Sequence, residues 1–124
     1  MIQWFSKNER LALATIYSTN ITLNKFSMEM MKDSYACMLG LDSEAKKVAI
    51  QPISQDEFER KEFPEDNMFL LSGGKTYLRV SSSDFVKKVA DLIGTDFKDG
   101  ARKYSCYYDE HEKIVIIDLL KEVK

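Results

Sequence analysis

The sequence is poor in the residues that build disulfide scaffolds and membrane spans. Its two cysteines, Cys37 and Cys106, are too few and too far apart for a disulfide framework, and they fit a reducing compartment. No apolar run approaches the roughly 20 residues that cross a bilayer, and the opening MIQWFSKNER lacks the pattern of a secretory signal. These absences predict a soluble, cytoplasmic protein with no membrane partner.

An excess of positive charge is also missing. The chain has 18 basic and 20 acidic residues, and its formal net charge is −2. Strong non-specific nucleic-acid binders usually carry a basic excess over the whole domain, so any such role needs a local patch. Apolar residues make up 44% of the chain and aromatic residues 11%, which is enough for a packed core. The length of 124 residues predicts a single domain spanning 1–124.

What the sequence does contain is an internal repeat. The segment YAC at 35–37 has a counterpart in YSC at 104–106, and DSEAKKVAI at 42–50 matches DEHEKIVII at 109–117 without a gap. Upstream of these matches, each copy has a short strand-like segment followed by a helix-like one. We therefore predict an α+β fold in which two βαββ units, related by an internal pseudo-repeat, pack as one compact domain.

The boundaries follow from the same patterns. Repeat 1 is predicted at about 15–53 and repeat 2 at about 68–120, with an acidic linker at 54–67 that contains a helical turn and has a local charge of −4. In repeat 2, SSDFVKKVADLIG reads as a helix with a serine N-cap and a glycine at its end. The segment MFLLSGGKTYLRV reads as a hairpin that turns at 73–74.

The first twenty residues allow two interpretations. Ser6 and Glu9 have the spacing of a capping box, which favours a short helix. The following LALATIYS, at 11–18, is equally compatible with a strand.

The strand KIVIIDL is apolar on both faces. Its alternation predicts that Val115 and Ile117 face the core. Ile114 and Ile116 then point to the other side, where the second repeat or a second subunit must cover them.

The stretch YYDEHEK, at 107–113, surrounds the only histidine with carboxylates. Zinc needs three or four converging ligands, whereas consecutive residues on a tight turn diverge. An aspartate at the start of a turn also has a backbone role, because its side chain accepts hydrogen bonds from later amides. We therefore interpret Asp109 as a turn residue and His111 as incidental, and we predict no metal site.

No other motif supports catalysis. Cys37 and Cys106 lie in strand-like segments and are interpreted as buried structural thiols. The stretch SGGKT lacks the first glycine of a phosphate-binding loop, because position 69 is Phe. We predict no catalytic residues, no cofactor and no enzymatic activity.

Tyrosines and basic residues in repeat 2 favour nucleic acid. Tyr77, Tyr107 and Tyr108, with Tyr35 and Tyr104, are candidates for stacking on bases, although aromatics on strands are often core residues. The predicted nucleic-acid-binding residues are Lys75, Arg79, Lys87, Lys88, Arg102 and Lys103.

The order of elements resembles the tandem AbrB/MraZ-type swapped-hairpin proteins, most clearly over residues 81–119. In MraZ-like proteins, an Asp-x-x-x-Arg motif opens the helix and its basic side chain helps to contact DNA. Asp84 and Lys88 match that spacing with lysine in place of arginine, whereas the first copy has Ser27 and Met31 and lacks the motif. The chain also resembles small uncharacterised conserved proteins of low-GC Gram-positive bacteria.

Two functional classes remain open from the sequence. The first is a non-enzymatic nucleic-acid-binding regulatory protein, with DNA or RNA as partner. The alternative is a protein–protein interaction or assembly module, as a homodimer or with another protein, which the doubly apolar strand favours.

Overall fold

The protein is a closed antiparallel barrel of eight strands in the computed structural model, which describes residues 1–4 and 11–123. The strands are β1 (Leu13–Ile16), β2 (Asn20–Asn24), β3 (Ala36–Asp42), β4 (Lys47–Ile53), β5 (Phe69–Gly73), β6 (Tyr77–Ser81), β7 (Arg102–Asp109) and β8 (Ile114–Val123). The α-helices are α1 (Lys25–Met28), α2 (Gln55–Glu59) and α3 (Ser83–Ile93). Short 3-10 turns occupy Glu29–Met31, Glu65–Asn67 and Phe97–Asp99.

Four hairpins build the barrel, and they alternate between the two halves of the chain. The order around the barrel is β1-β2-β6-β5-β3-β4-β8-β7, with β7 pairing back to β1. Each join between hairpins, namely β2–β6, β5–β3, β4–β8 and β7–β1, connects a strand of the first half to one of the second. If the labels of β1, β2, β3 and β4 are exchanged with those of β5, β6, β7 and β8, each strand keeps the same neighbours around the barrel. The two halves of the chain therefore occupy equivalent positions.

The predicted α+β class is therefore wrong. Each half contains a hairpin, a helix and a second hairpin, so the predicted βαββ unit lacked one strand. The halves also do not form separate sheets, because their hairpins interleave in one barrel. This closed barrel contradicts the AbrB/MraZ-like arrangement as well. Strand β5 is the first arm of the predicted hairpin, which is confirmed with its turn at 74–76 instead of 73–74, and β1 lies in the ambiguous segment at 11–18. Neither strand was counted in the predicted unit, and the joins between hairpins depend on distant segments that local periodicity does not reveal.

Alternation along the strands fills the barrel with apolar side chains. Ala14, Ile16, Ile21 and Leu23 on β1 and β2 are all at most 3% exposed. On the opposite side the inward residues include Val48, Ile50, Val115 and Ile117. The predicted core positions of β8 are therefore confirmed. Ile116, which faces outward, is only 8% exposed, so the chain itself covers most of this side chain.

Helix α3 follows the sequence pattern closely. The Ser82 hydroxyl accepts a hydrogen bond from the amide of Phe85, and Gly94 ends the helix in the left-handed conformation with φ 67°. Val86 and Val89 on one side of the helix are buried in the barrel core. The amide of Ser82 donates to the carbonyl of Thr19 at 3.1 Å, which fixes the start of α3 beside the β1–β2 turn.

The predicted linker contains α2, which begins with a complete capping box. The Ser54 hydroxyl accepts from the amide of Glu57, and the Glu57 carboxylate accepts from the amide of Ser54. These hydrogen bonds lower the pKa of Glu57.

Leu13–Ile16 is a strand, which settles that part of the ambiguous segment, whereas Ser6 and Glu9 lie outside the described residues. Over the described ranges, no helix has the length and apolarity needed to cross a membrane.

Candidate nucleic-acid interface

The two long hairpins end in matching turns, and this explains the histidine cluster. The Asp109 carboxylate accepts hydrogen bonds from the amides of His111 and Glu112, at 3.0 and 3.1 Å. Asp42 accepts from the amides of Glu44 and Ala45 in the same way, at 3.1 and 3.0 Å. Asp109 and Asp42 are therefore turn residues. His111 is exposed, and no three His, Cys, Asp or Glu side chains within residues 1–4 and 11–123 form a possible metal site.

Both thiols are buried, as predicted. Burial raises the pKa of Cys37 to about 12, and burial also raises the pKa of Cys106, while its hydrogen bond with the Ser27 hydroxyl acts in the opposite direction. A thiol with a raised pKa remains protonated near neutral pH and is a poor nucleophile. Cys37 and Cys106 therefore serve packing.

A polar cluster near the start of α1 ties this helix to β1. The Asn24 side-chain oxygen accepts from the amides of Leu13 and Ser27, at 3.1 and 3.0 Å, and from the Ser27 hydroxyl at 2.8 Å. The Asn24 side-chain amide donates to the carbonyl of Leu11 at 2.9 Å. Ser27 is fully buried, with its hydroxyl 3.0 Å from the Cys106 sulfur. Since every polar atom here is engaged, this cluster is structural.

The strands β6, β2, β1 and the first part of β7 are neighbours and present a continuous outer surface, which we call the four-strand face. Alternation from the buried residues assigns the outward side chains. They are Leu13, Thr15, Asn20, Thr22, Asn24, Tyr77, Arg79, Ser81, Lys103, Ser105 and Tyr107. This set, which on β7 ends at Tyr107 and stops before Asp109, contains two cations and no carboxylate. A surface of this kind favours polyanions.

Arg79 and Lys103 lie in one cross-strand row of the four-strand face. The register pairs Arg79 with Thr22, Thr22 with Thr15, and Thr15 with Lys103. Three strand spacings separate the two cations, or about 14 Å along the barrel surface. Neither side chain has an ion-pair partner among the described residues. The row is therefore positively charged at both ends and polar between them.

Two aromatic rings lie on the same side of this row, Tyr77 on β6 and Tyr107 on β7. The Arg79 guanidinium carbon is 5.2 Å from the centre of the Tyr77 ring, and the Arg79 Nε donates to the Thr22 hydroxyl at 3.4 Å. The Tyr107 hydroxyl accepts from the Lys47 ammonium at 3.0 Å, which raises the pKa of Lys47. Tyr77 is 37% exposed and Tyr107 is 41% exposed. Both rings are thus held in place and still accessible for stacking.

Two carboxylates of β8 are in register with β7 beside this surface. Glu122 pairs with Tyr104 and is exposed, and Asp118 pairs with Ser105 but is shielded. Asp118 is only 9% exposed, and its side chain accepts from the amide of Leu120 at 3.0 Å. Its negative charge is therefore directed toward the backbone rather than toward a bound anion.

The other predicted basic residues do not join this row. Arg102 precedes Lys103 but forms an ion pair with Glu122 at 3.1 Å. Lys87 and Lys88 lie on α3, whose exposed residues also include Asp84 and Asp91, so the charge of the helix surface is balanced.

Lys87 also lines a cleft of about 480 Å³ beside the β1–β2 turn, together with Asp84, Asp91, Asp96 and Lys98. Three carboxylates and two cations in this cleft make it a poor site for phosphate.

Lys75 lies in the β5–β6 turn, two residues before Tyr77. The structure thus brings Arg79 and Lys103 together, leaves Lys75 at the margin, and puts Lys87 and Lys88 elsewhere.

The tyrosines also separate into distinct environments. Tyr104 is 2% exposed and belongs to the core. Tyr35 packs edge-on against Phe58, with ring centres 5.2 Å apart. Tyr108 lies near the end of β7, next to the hairpin tip. Only Tyr77 and Tyr107 of the five predicted candidates lie on the four-strand face.

Sequence reasoning missed Thr15 and Thr22, which connect the two cations. The alternation of polar and apolar residues in LATI and NITLN was the available pattern, because it assigns Thr15 and Thr22 to the outer face of a half-buried strand. The cross-strand row itself requires the pairings of β1 with β2 and β7.

Comparisons with known proteins returned no match. No family model matches the chain, and no curated protein or solved structure matches it.

Proposed function

We propose that the protein binds single-stranded nucleic acid on the four-strand face. The observation that carries this proposal is the cross-strand row, in which Arg79 and Lys103 are joined by two threonines on a surface without carboxylates. Phosphates are neutralised by the two cations, and the Thr15 hydroxyl donates to phosphate or sugar oxygens. The Thr22 hydroxyl donates to the side-chain oxygen of Asn20 at 2.8 Å and orients Arg79 as an acceptor.

The exposed rings of Tyr77 and Tyr107 supply the second element of such a site. Stacking of a base on an aromatic side chain contributes about 1–3 kcal/mol and tolerates any base, because every base has a π-face. A duplex hides these faces inside its base stack. The combination of rings and cations on a convex barrel surface therefore favours single strands over duplexes.

This role needs no cofactor, no metal and no catalytic group. The negative net charge is compatible with it, since the acidic residues concentrate in the 54–67 linker and outside the four-strand face. We expect the activity in a reducing cytoplasm, and the two unpaired cysteines are compatible with that compartment.

Fluorescence anisotropy with a labelled twelve-nucleotide mixed-sequence oligonucleotide at low salt tests the proposal. Tyr77→Ala is expected to weaken binding about 5- to 150-fold, because one stacking platform is lost. Tyr108→Ala is the matched control, since it removes an exposed tyrosine from the same protein but outside the four-strand face. The affinity of the Tyr108→Ala variant for the oligonucleotide should equal that of the wild type.

Substitutions that remove the positive charges provide an independent test. Arg79→Gln with Lys103→Gln should lower affinity and reduce the slope of log affinity against log salt by about 1.4, at about 0.7 per phosphate contact on a single strand. Lys87→Gln with Lys88→Gln removes two positive charges from α3 and should leave the slope unchanged. Absence of binding to both DNA and RNA oligonucleotides at low salt, or equal losses in the two double variants, would refute the proposal.

A further inference from the structure

Two equivalent joins close the barrel, and one of them is shorter. Strands β7 and β1 pair through four residues, from Arg102 to Ser105 on β7. Strands β3 and β5 pair through only two, with Ala36 opposite Leu70 and Cys37 opposite Phe69. Beyond Cys37, the segment 38–42 pairs with β4 on one side and has no strand partner on the other among the described residues.

Within the part of the chain that the structure describes, one edge of β3 therefore lacks a strand partner, and we call it the free edge. In an antiparallel pair, successive residues direct their N–H and C=O groups to opposite sides. Cys37 pairs with both β4 and β5, and Pro52 opposite it on β4 has no N–H to donate. The backbone of Cys37 therefore points to β5, and the groups of Leu39 and Leu41 point the same way. No backbone or side-chain hydrogen bond satisfies their amides on this side among the described residues.

A groove of about 620 Å³ includes Met38, Leu39 and Gly40 of this edge segment and extends over β4, where Ala49 and Gln51 line it. Its apolar lining includes Leu39, Phe69 and Phe85, which are all partly buried against the core. Gly40 leaves room on the outer side, since a Cβ there would meet only Ala49 within 4 Å. The groove thus offers unpaired backbone groups beside apolar surface, which is the combination that accepts an added strand.

The charges around the groove are all negative. Asp66, in the turn before β5, and Glu112, in the β7–β8 turn, both line it, and no lysine or arginine does. Asp66 belongs to the linker at 54–67, which carries six acids and two bases. A second copy of the chain would bring its own carboxylates against these, so edge-to-edge pairing of two copies is electrostatically unfavourable.

We propose that the free edge of β3 binds an extended segment of a partner protein in which apolar and basic residues alternate. The backbone of the segment pairs with Leu39 and Leu41. Its apolar side chains contact Phe69 and Phe85, and its basic side chains face Asp66 and Glu112. This site is separate from the four-strand face, so one protein could hold a nucleic acid and a protein partner together.

Titration with synthetic peptides tests this inference. The probe is a seven-residue peptide in which valine and lysine alternate. Amide hydrogen exchange of the isotope-labelled protein is measured by NMR with and without this peptide. The expected result is binding with slowed exchange of the Leu39 and Leu41 amides, because strand addition gives these groups acceptors. A peptide with glutamate in place of lysine should bind at least about fivefold more weakly.

Two controls separate strand addition from adhesion of a basic peptide. N-methylation of every second peptide amide, on the side that faces β3, should lower affinity at least about tenfold, because it removes the backbone donors. Asp66→Lys should weaken binding of the lysine peptide, whereas Glu65→Lys changes the neighbouring carboxylate outside the groove and should not. Oligonucleotide affinity should be the same in both variants.

Several outcomes would overturn the inference. These are no peptide binding at millimolar concentration, binding that survives N-methylation, or binding that leaves the Leu39 and Leu41 amides exchanging freely. A protein that is dimeric in ultracentrifugation, with both amides already protected before peptide is added, would show that a second copy occupies the edge instead.

Discussion

The two halves of the chain fill equivalent positions in the barrel with helices of different kinds. In the first half, α1 has four residues and is held by the side-chain hydrogen bonds of Asn24 and Ser27. In the second half, α3 has eleven residues and is held by the burial of Val86 and Val89. A short helix cannot bury a long apolar stripe, so specific polar contacts take over that role.

The difference shows how the same scaffold tolerates diverged sequences. Both helices connect the end of one hairpin to the start of the next. In α3 the anchoring is apolar and spread over three turns, which tolerates changes of shape. In α1 it is concentrated in one buried cluster, whose members depend on each other. The two halves should therefore respond differently to equivalent substitutions.

The largest difference is expected at the helix starts. Asn24→Ala removes one acceptor shared by three donors and one donor to a backbone carbonyl, and should lower the free energy of unfolding by about 3 kcal/mol. Ser82→Ala removes one N-cap hydrogen bond and should cost about 1 kcal/mol. Urea unfolding followed by circular dichroism measures both. Equal losses would contradict the contrast between polar and apolar anchoring.

An intermediate effect is expected from the two thiols at high pH. The pKa of Cys37 is raised from the ordinary 9.0 to about 12, so the folded state holds this proton while the unfolded state releases it. The contribution of the protonated Cys37 thiol to the free energy of unfolding is fully present below pH 9. It is lost as the pH rises toward 12, at about 1.4 kcal/mol per pH unit. When the pH rises from 9 to 10.5, the free energy of unfolding of the Cys37→Ala variant should therefore fall by about 2 kcal/mol less than that of the wild type.

Cys106→Ala is the matched control for this pH dependence. The Ser27 hydroxyl partly offsets the effect of burial on the pKa of Cys106, so this substitution should change the alkaline slope less than Cys37→Ala does. Urea unfolding at several pH values gives the slopes. If the two variants have the same slope, the environments of the thiols are not distinguished by the Ser27 contact.

The smallest expected effects concern the two hairpin turns, in which the two halves of the chain have the same structure. Asp42→Ala and Asp109→Ala each remove an acceptor for two turn amides, and each should cost about 1 kcal/mol. The losses should add in the double variant, because the turns share no partner. Glu110→Ala on the same turn as Asp109 is the control and should be neutral. A cost confined to Asp109 would break the correspondence between the two turns.

Local features of the fold could be predicted from the sequence. The strand Asn20–Asn24, the N-cap and glycine end of α3, and the turn at Asp109 follow from caps, alternation and turn chemistry, which act within a few residues. The hairpin of β5 and β6 could also be predicted, but the closed barrel could not. The pairing of β2 with β6 joins segments more than fifty residues apart, and no local pattern specifies it.

The candidate site was predictable only in part. Arg79, Lys103, Tyr77 and Tyr107 could be named from the sequence as basic or aromatic residues on strand-like segments. Their separation from Lys87 could not, because it depends on which strands are neighbours in the barrel. The ion pair of Arg102 with Glu122 joins β7 to β8, and it too requires the folded register.

The interleaving of the hairpins has a consequence for how the chain folds. Each hairpin can form early from local contacts, but none of the four joins between hairpins can form until the segments on both sides of the 54–67 linker have been synthesised. Pairing between segments so far apart in sequence slows folding to the millisecond-to-second range typical of β-rich domains. The nascent first half therefore exposes unpaired strand edges, and it depends on the second half to cover them.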